Sequence, residues 1–500
     1  MAFAEYARHD GLGLAELVTK QEVTAAELVD EALARIGRVD PTLHAVTARL
    51  DERARAQAAA PLPAGPFRGV PFALKDLLAS LAGTPLTSGS ALMRDHVCAR
   101  DTTLVERYRA AGLVFVARTK SPELGLTPVT EPDVYGPTGT PWAPERAAGG
   151  SSGGSAALVA AGALPMANGG DGGGSLRIPA SCCGVFGFKP TRGRTPAGPD
   201  ASEHWHGLAI EHAITRSVRD SAALLDATCA PEPGAPYPAP PPAGPFLDEV
   251  TRPPGRLRIA WTATPFLPST VHADARAAVE DAARLCAELG HEVVEAAPPI
   301  DPAAFARAFL ALVGAETAAE VVALERERGR RRRRGELEVT TELVAMYGRA
   351  ITGEQLCTAV RDLRALGRVM ADFHRRYDVL LTPTVATPPP PHHGLRSTGV
   401  KELAERTLAR VGVPAAMRLP GLVDAMAAEV FAFIPWTPLA NATGAPSMSV
   451  PLWWSAAGLP IGAMFTAGFG DDATLFRLAG QLEAARPWAG RRPRVTADPG

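Results

Sequence analysis

Cysteine is scarce in this sequence. The 500 residues include six cysteines, at positions 98, 182, 183, 229, 286 and 357, and none has the C-x-x-C spacing that is typical of structural zinc sites. We therefore expect reduced thiols, no bound metal ion and a cytoplasmic location.

Long apolar runs and an excess of charge are also missing. Near the amino terminus we find neither an apolar run of about 18 residues nor a basic segment followed by an apolar one, which argues against a membrane anchor or signal peptide. Lysine plus arginine number 51 and aspartate plus glutamate 53, a formal net charge of −2, so no strong field attracts nucleic acid or an anionic membrane. The arginine run at 330–334 is expected to be a solvated helix end or loop. The expected partner is a small molecule, and a homodimer stays open.

What the sequence does contain is typical of a globular protein, with 46% hydrophobic and 21% charged residues. Residues 14–57 are predicted to be helical, with Thr24 and Glu27 as a capping box and a break at Asp40-Pro41. From 69 to 115, short apolar runs alternate with the helical pattern TTLVERYRAAG, which indicates βαβ units. The fold class is therefore α/β, with a sheet that is at least partly parallel.

We predict a single domain over residues 1–500 with four parts. These are an N-terminal helical arm (1–60), a core (61–230), a proline-rich surface connection (231–256) and a second lobe (257–500). Strands are expected in LRIAW, HEVVEA, DVLLTPTVATP and PSMSVPLWW, and helices at 274–289 and from 473 onward.

A glycine- and serine-rich stretch between 144 and 196 is the most informative part of the chain. In Gly172-Gly173-Gly174-Ser175, three residues without Cβ precede a serine, so several backbone N–H groups could turn toward one point. Such a loop suits an oxyanion hole beside a nucleophile, although taken alone it is more often a turn or a phosphate-binding loop. A second serine loop, Gly149 to Gly154, lies upstream and leads into a helix of small residues.

A third candidate is Lys75, which ends the apolar run GVPFALKD. Burial disfavours the charged form of lysine and lowers its pKa, so a buried lysine can accept a proton from a serine. Taken alone, a surface lysine paired with Asp76 is the simpler interpretation.

Together these segments resemble the amidase signature family. The pattern stands here as GGSSGGSAALVAAGALPMANGGDGGGSLRIPASCCGVFGFKPTRGR, and the resemblance extends to GVPFALKDL upstream and to ITRSVRDSAALLD, NATGAPSMSVPL and GLPIGA downstream. It implies a large central mixed β-sheet with helices on both faces and an amidase activity. A narrower resemblance, through TEPDVYG, RIPAS and KPTRGR, is to cyclic-amide hydrolases that act on 6-aminohexanoate cyclic dimer.

The resemblance also implies roles for individual residues. Lys75 would be the base, Ser151 the proton relay after a cis peptide, and Ser175 the nucleophile that forms an acyl-enzyme without any cofactor. The backbone N–H groups of Gly172, Gly173, Gly174 and Ser175 would stabilise the oxyanion, while the loop would be shaped by Ser152, Asp171 and Arg177.

Three other interpretations remain. Gly149-x-Ser151-x-Gly153 formally matches the nucleophile elbow of Ser-His-Asp hydrolases, with His204 and His206 as candidate bases, but PWAPERAAGG before it is predicted to be a loop rather than a strand. A phosphate- or nucleotide-binding module would need a motif that is not present. A glutaminase-type subunit of an amidotransferase typically has glutamine where this chain has Ile178.

The substrate is predicted to be an uncharged aliphatic, aryl or cyclic amide of largely apolar character. Leu124, Gly125 and Leu126 are expected beside the acyl pocket, and Tyr135, Ile434 and Trp436 are weaker candidates for its wall. Apolar side chains favour an apolar substrate over free glutamine, whose two charges would need partners.

Overall fold

The computed structural model of the chain describes residues 5–419 and 421–498. Its helices in chain order are α1 (Gly11–Thr19), α2 (Ala25–Leu43), α3 (Asp51–Ala59), α4 (Thr103–Ala110), α5 (Gly153–Ala160), α6 (Arg177–Cys183), α7 (Val218–Thr228), α8 (Phe246–Thr251), α9 (Ala273–Glu288), α10 (Pro302–Glu327), α11 (Val339–Ala350), α12 (Gly353–His374), α13 (Gly399–Val411), α14 (Leu422–Ala432), α15 (Thr437–Thr443) and α16 (Asp472–Ala485). Its strands are β1 (Val46–Arg49), β2 (Pro71–Lys75), β3 (Val114–Thr119), β4 (Gly139–Thr140), β5 (Ala143–Ala147), β6 (Met166–Asp171), β7 (Phe186–Lys189), β8 (Ile210–Thr215), β9 (Arg258–Trp261), β10 (Glu292–Glu295), β11 (Val379–Pro383), β12 (Ser447–Trp454) and β13 (Pro460–Ala467).

A large mixed sheet organises these elements. Its strand order is β1-β3-β2-β6-β8-β7-β12-β13-β11-β9-β10, and β4 and β5 form a separate two-stranded sheet. Strands β3, β2 and β6 run parallel, as do β11, β9 and β10, whereas the central neighbours are antiparallel. The predicted α/β class with a mixed, helix-flanked sheet is confirmed.

The sheet continues across the point where the sequence suggested a second lobe. Strand β7 pairs antiparallel with β12, with Lys189 opposite Ser447. Apolar clusters fill the space between the sheet and its helices on both sides of this junction. Burial of these side chains removes apolar surface from water and supplies the main favourable term for folding.

Several predicted elements are confirmed and others are wrong. The capping box of Thr24 and Glu27 starts α2, but Pro41 lies inside that helix instead of breaking it, and 46–49 form an edge strand rather than a helix. The proline-rich connection contains α8, where Asp226 accepts hydrogen bonds from the N–H groups of Phe246 and Leu247. A side-chain cap from a distant residue is a tertiary contact that local composition does not reveal.

One edge of the sheet positions the candidate site. Strands β2 and β6 are parallel, so their carboxyl ends, at Lys75 and Asp171, lie at the same edge. The loop 172–175 follows β6 directly. This edge of the sheet is the usual place for ligands in open α/β sheets.

Candidate active site

Lys75 ends β2 and is buried, with 1% of its surface exposed. Its Nζ lies 2.7 Å from Ser151 Oγ, and its backbone N–H donates to Asn168 Oδ1 at 3.1 Å. Burial lowers the pKa of Lys75 to about 7, although the carboxyl groups of Glu211 and Asp171 oppose that shift. A large fraction of Lys75 is therefore neutral near pH 7 and able to accept a proton.

Ser151 precedes α5 and is buried beside the lysine. The Gly150-Ser151 peptide is cis, as the family resemblance implied. Gly125 packs so closely on Ser151 that a Cβ at position 125 would lie 3.2 Å from Ser151 Oγ. The lack of a side chain at Gly125 therefore leaves room for the serine hydroxyl.

The segment before Ser151 differs from the prediction. Residues 143–147 were expected to be loop but form β5, which pairs with β4 and not with the central sheet. The separate strand lies three residues before Gly150-Ser151, so the strand-to-helix turn of a nucleophile elbow is not formed here.

Ser175 is partly exposed in the loop between β6 and α6. Asp171 holds this loop, because its carboxylate accepts hydrogen bonds from the N–H groups of Gly174 at 2.7 Å and Leu176 at 3.1 Å, and from Arg177 at 3.0 and 2.9 Å. Burial alone would raise the pKa of Asp171, but the Arg177 guanidinium lowers it to about 2. The resulting ion pair fixes the loop while its serine remains accessible.

The hydrogen bonds of the loop reduce the set of predicted oxyanion donors. The N–H of Gly174 already donates to the carboxylate of Asp171, so we remove Gly174 from that set. Among the described residues we find no protein acceptor for the N–H groups of Gly172, Gly173 or Ser175. Gly174 instead has a conformational role, since its φ is +129° and a Cβ there would lie 2.5 Å from Thr437 Oγ1.

Ser152 has a structural contact rather than one with the cavity. It is buried, and its Oγ lies 3.3 Å from both the N and the O of Gly170 on β6. This pair of contacts ties the Ser151 loop to the strand that leads into the Ser175 loop.

The three candidate catalytic residues line one cavity of about 390 Å³. Of the predicted wall residues, Leu124, Gly125, Leu126 and Ile434 line it. Tyr135 and Trp436 do not: Trp436 is fully buried and donates through Nε1 to Thr264 O at 2.9 Å, so it belongs to the core. The sequence analysis missed much of the remaining wall, namely Leu77, Leu78, Thr127, Trp205, Phe309, Leu310, Val313, Val430 and Phe431.

Three residues that line this cavity have a strained backbone. Leu78, Leu124 and Trp205 have φ values of +66°, +48° and +54°, a region that non-glycine residues rarely adopt, and all three side chains line the cavity. Such conformations cost about 1–3 kcal/mol each and persist where surrounding contacts over-determine them. Trp205 lies against the loop that carries Ser175, since a Cβ on Gly172 would approach Trp205 Cζ3 to 3.0 Å.

The histidines do not form a Ser-His-Asp arrangement in the described chain. His204 lines the cavity, but burial lowers its pKa and we find no hydrogen bond from it to Ser151 or Ser175. His206 faces Glu316, with Nε2 3.1 Å from Oε1. Lys75, by contrast, is a candidate base that does contact a serine of the cavity, through Ser151 Oγ.

A mixed sheet whose edge brings together a buried lysine and two glycine-rich serine loops is the architecture of an amide hydrolase. The chain belongs to the amidase signature family, whose model, described as Amidase, matches residues 27–476. A 6-aminohexanoate-cyclic-dimer hydrolase of Pseudomonas sp. (strain NK87) is 35% identical to it over 493 residues, covering 97% of this chain and 96% of that protein.

Solved structures agree with this assignment. The structure of a 6-aminohexanoate cyclic dimer hydrolase is similar with a TM-score of 0.87 and 34% identity, covering 98% of this chain and 99% of the other. A bacterial aryl acylamidase of the amidase signature family has a TM-score of 0.84 and 27% identity, with 97% and 99% covered. No helix in residues 5–419 and 421–498 has the length and apolar character needed to cross a membrane.

Proposed function

We propose that the protein hydrolyses the C–N bond of a carboxylic amide through an acyl-enzyme on Ser175. The observation that carries the proposal is the 2.7 Å contact between Lys75 Nζ and Ser151 Oγ, in the cavity that Ser175 also lines. Since Lys75 has a pKa of about 7, it can hold the proton that passes from Ser175 through Ser151.

The chemical steps follow from the order of the proton-transfer groups, which runs from Ser175 through Ser151 to Lys75. Ser175 Oγ attacks the amide carbonyl as its proton moves to Ser151 and the proton of Ser151 moves to Lys75. The N–H groups of Gly172, Gly173 and Ser175 are the proposed donors to the oxyanion. Collapse breaks the C–N bond, and the amine leaves with a proton delivered through Ser151. Water then attacks the ester carbonyl by the same relay and releases the acid, with no cofactor involved.

The proposed substrate class is an aliphatic, aryl or cyclic amide with an apolar portion near the triad. Leu77, Leu126 and Ile434 on the cavity wall support an apolar acyl group, because each Å² of apolar surface removed from water contributes about 25 cal/mol. The similar proteins are named for a cyclic amide and for aryl acylamides, which agrees with this class. A cytoplasmic location, the lack of a nucleic-acid partner and a homodimeric state remain predictions.

The test is hydrolysis of hexanoyl p-nitroanilide by the purified chain alone and by three variants. Ser175→Ala should abolish turnover, and Ser151→Ala and Lys75→Ala should each reduce kcat/KM by orders of magnitude. The matched control is Ser202→Ala, since Ser202 is exposed. The double variant of Ser151 and Lys75 should lose little more than either single variant, because groups that act as one relay are non-additive.

Retention of more than a few per cent of activity in Ser175→Ala would contradict the nucleophile assignment. A double variant whose loss equals the product of the two single losses would contradict the relay. Activity that appears only after partner chains are added would favour the glutaminase-type subunit instead.

A further inference from the structure

The loop that carries Ser175 is held by a helix from the other half of the chain. Thr437, the first residue of α15, donates a hydrogen bond through Oγ1 to Gly173 O at 2.7 Å. Thr437 is fully buried and does not line the catalytic cavity. Its side chain therefore acts on the backbone of the loop and not on a molecule in the cavity.

The direction of this hydroxyl sets it apart from an ordinary helical threonine. Inside a helix, a threonine hydroxyl commonly donates to a carbonyl one turn earlier. Thr443 does so in the same helix, where its Oγ1 donates to Leu439 O at 2.9 Å. Thr437 begins α15, so no earlier turn of that helix can accept its proton. The hydroxyl is therefore available to Gly173, which lies 264 residues earlier in the sequence.

The contact holds one end of a peptide group whose other end is also held. The carbonyl oxygen of Gly173 accepts from Thr437, and the N–H of Gly174, in the same peptide group, donates to Asp171 Oδ1 at 2.7 Å. Neither glycine has a Cβ, so side-chain sterics do little to prevent this peptide group from flipping. A flip would turn the carbonyl oxygen toward the carboxylate of Asp171, which only accepts hydrogen bonds. Thr437 and Asp171 together therefore select one orientation.

That orientation matters for the proposed oxyanion donors. The N–H groups of Gly173 and Ser175 belong to the peptide groups immediately before and after the held one. Because the held peptide group joins these two, its orientation fixes the angle between their N–H groups. An oxyanion hole stabilises developing charge only when its donors already point to the position that the oxygen will occupy.

The same helix also holds Asp171. Asn441 lies one turn after Thr437, on the same face of α15, and is buried. Its Nδ2 donates to Asp171 Oδ1 at 2.8 Å and to Asp171 O at 2.9 Å, while its Oδ1 accepts from Arg177 Nη2 at 2.8 Å. One face of α15 therefore places both groups that hold the peptide between Gly173 and Gly174.

We infer that Thr437 is a positioning residue for amide hydrolysis, whose hydroxyl holds the peptide group between Gly173 and Gly174 so that the neighbouring N–H groups point at the oxyanion. This inference rests on the proposed function and adds to it a residue outside the cavity. The hydroxyl should matter more in the transition state than in the bound substrate, because negative charge on the carbonyl oxygen develops only as Ser175 attacks.

The experiment measures hydrolysis of hexanoyl p-nitroanilide by the wild type and three variants. Thr437→Val keeps the shape of threonine without its hydroxyl, and kcat should fall about thirtyfold, less than the roughly hundredfold or greater loss when an oxyanion donor is removed outright. KM should stay within about twofold, since ground-state binding does not use the oxyanion. Thr437→Ser keeps the hydrogen bond and should stay within about threefold of the wild type.

The matched control is Thr443→Val. It makes the same substitution in the same helix and removes a hydrogen bond of the same kind, from a hydroxyl to a backbone carbonyl, without touching the loop that carries Ser175. Its kcat and KM should equal those of the wild type. Thermal unfolding of all four proteins shows whether each variant is folded at the assay temperature.

A pair of inhibitors separates positioning from a general loosening of the site. Ser175 Oγ adds to the carbonyl carbon of 1,1,1-trifluoroheptan-2-one, its proton moves through Ser151 to Lys75, and the ketone oxygen becomes an oxyanion. The inhibition constant of this ketone should rise in Thr437→Val by about the factor by which kcat/KM falls. The inhibition constant of heptan-2-one, which has the same chain but a carbonyl that is not activated, should not change.

The outcomes separate this inference from the proposed function. If the wild type hydrolyses the anilide through Ser175 while folded Thr437→Val keeps kcat within about twofold, the inference is wrong and the amidase mechanism stands. If Thr437→Ser loses as much as Thr437→Val, or if both ketones weaken equally, the hydroxyl does not position the oxyanion donors. If the wild type neither cleaves the anilide nor binds the trifluoromethyl ketone, the proposed function fails, and this inference fails with it.

Thr437→Ala covers the case in which Thr437→Val does not fold. Alanine and serine both lack the methyl group of threonine and differ from each other only in the hydroxyl, so the ratio of their kcat values should show the same loss of about thirtyfold. If neither Thr437→Val nor Thr437→Ala folds, the hydroxyl is required for the fold itself, and a specific positioning role is refuted.

Discussion

Replacing Lys75 by methionine should remove activity and at the same time alter stability in a pH-dependent way. The lysine is buried in the folded protein, where its pKa is about 7, whereas in the unfolded chain it returns to about 10.5. Between these values the unfolded state binds more protons, so this group makes the wild type less stable as the pH falls from about 10.5 to about 7. Methionine has a similar length and no charge to desolvate.

The magnitude follows from the difference in pKa. A difference of about 3.5 corresponds to about 5 kcal/mol at about 1.36 kcal/mol per pKa unit. At pH 7, where half of the folded lysine is protonated, the cost is about 4 kcal/mol, and at pH 10 it is about 1 kcal/mol. Methionine leaves the hydroxyl of Ser151 without its contact, which costs about 1–3 kcal/mol at either pH. Lys75→Met should therefore be about 1–3 kcal/mol more stable than the wild type at pH 7.

Denaturant unfolding of both proteins at pH 7 and pH 10 measures this effect. The stability difference between variant and wild type should change by about 3 kcal/mol between the two pH values, with the advantage of the variant greatest at pH 7. Lys20→Met is the control, because Lys20 is exposed and pairs with Glu16. The stability difference between Lys20→Met and the wild type should be the same at both pH values. If the stability difference for Lys75→Met were also the same at both pH values, Lys75 would have an ordinary pKa, and its assignment as a base would be refuted.

Three further predictions concern the same site. The kcat/KM for hexanoyl p-nitroanilide should rise with pH through about 7 as Lys75 loses its proton; a profile that stays level down to pH 5 would exclude Lys75 as the base. Gly174→Ala should reduce kcat by more than about a hundredfold, because its Cβ would lie 2.5 Å from Thr437 Oγ1, whereas Gly367→Ala meets open space and should behave as the wild type. Asp171→Asn should lose about 3–5 kcal/mol of unfolding free energy, since it leaves Arg177 as a buried charge without its partner; a loss under about 1 kcal/mol would contradict this role.

Some structural features of this protein could be predicted from its sequence alone. The βαβ unit was predictable because the period of apolar residues changes between a strand and a helix, and β2, α4 and β3 lie where that change indicates. The serine loops were predictable because runs of glycine beside serine are rare and have few physical uses. The place of Lys75 at the end of an apolar run allowed its burial, but taken alone it favoured a surface lysine paired with Asp76; in the structure Lys75 is buried and Asp76 instead accepts a hydrogen bond from the N–H of Thr87.

Other features were decided only by the tertiary structure. Whether the N–H of Gly174 is available to a substrate depends on Asp171, three residues earlier. Its carboxylate accepts a hydrogen bond from that N–H because the loop turns back toward it. Trp436 looked like a wall residue but donates to Thr264, far away in the sequence, and so belongs to the core. Helix α10 reaches the cavity because the fold packs it beside the loop that carries Ser175, and nothing in its local pattern distinguishes a face turned toward the cavity from one turned toward solvent. The sequence therefore determined which residues could perform the chemistry, while the packing of distant segments decided which of them meet and what kind of substrate they face.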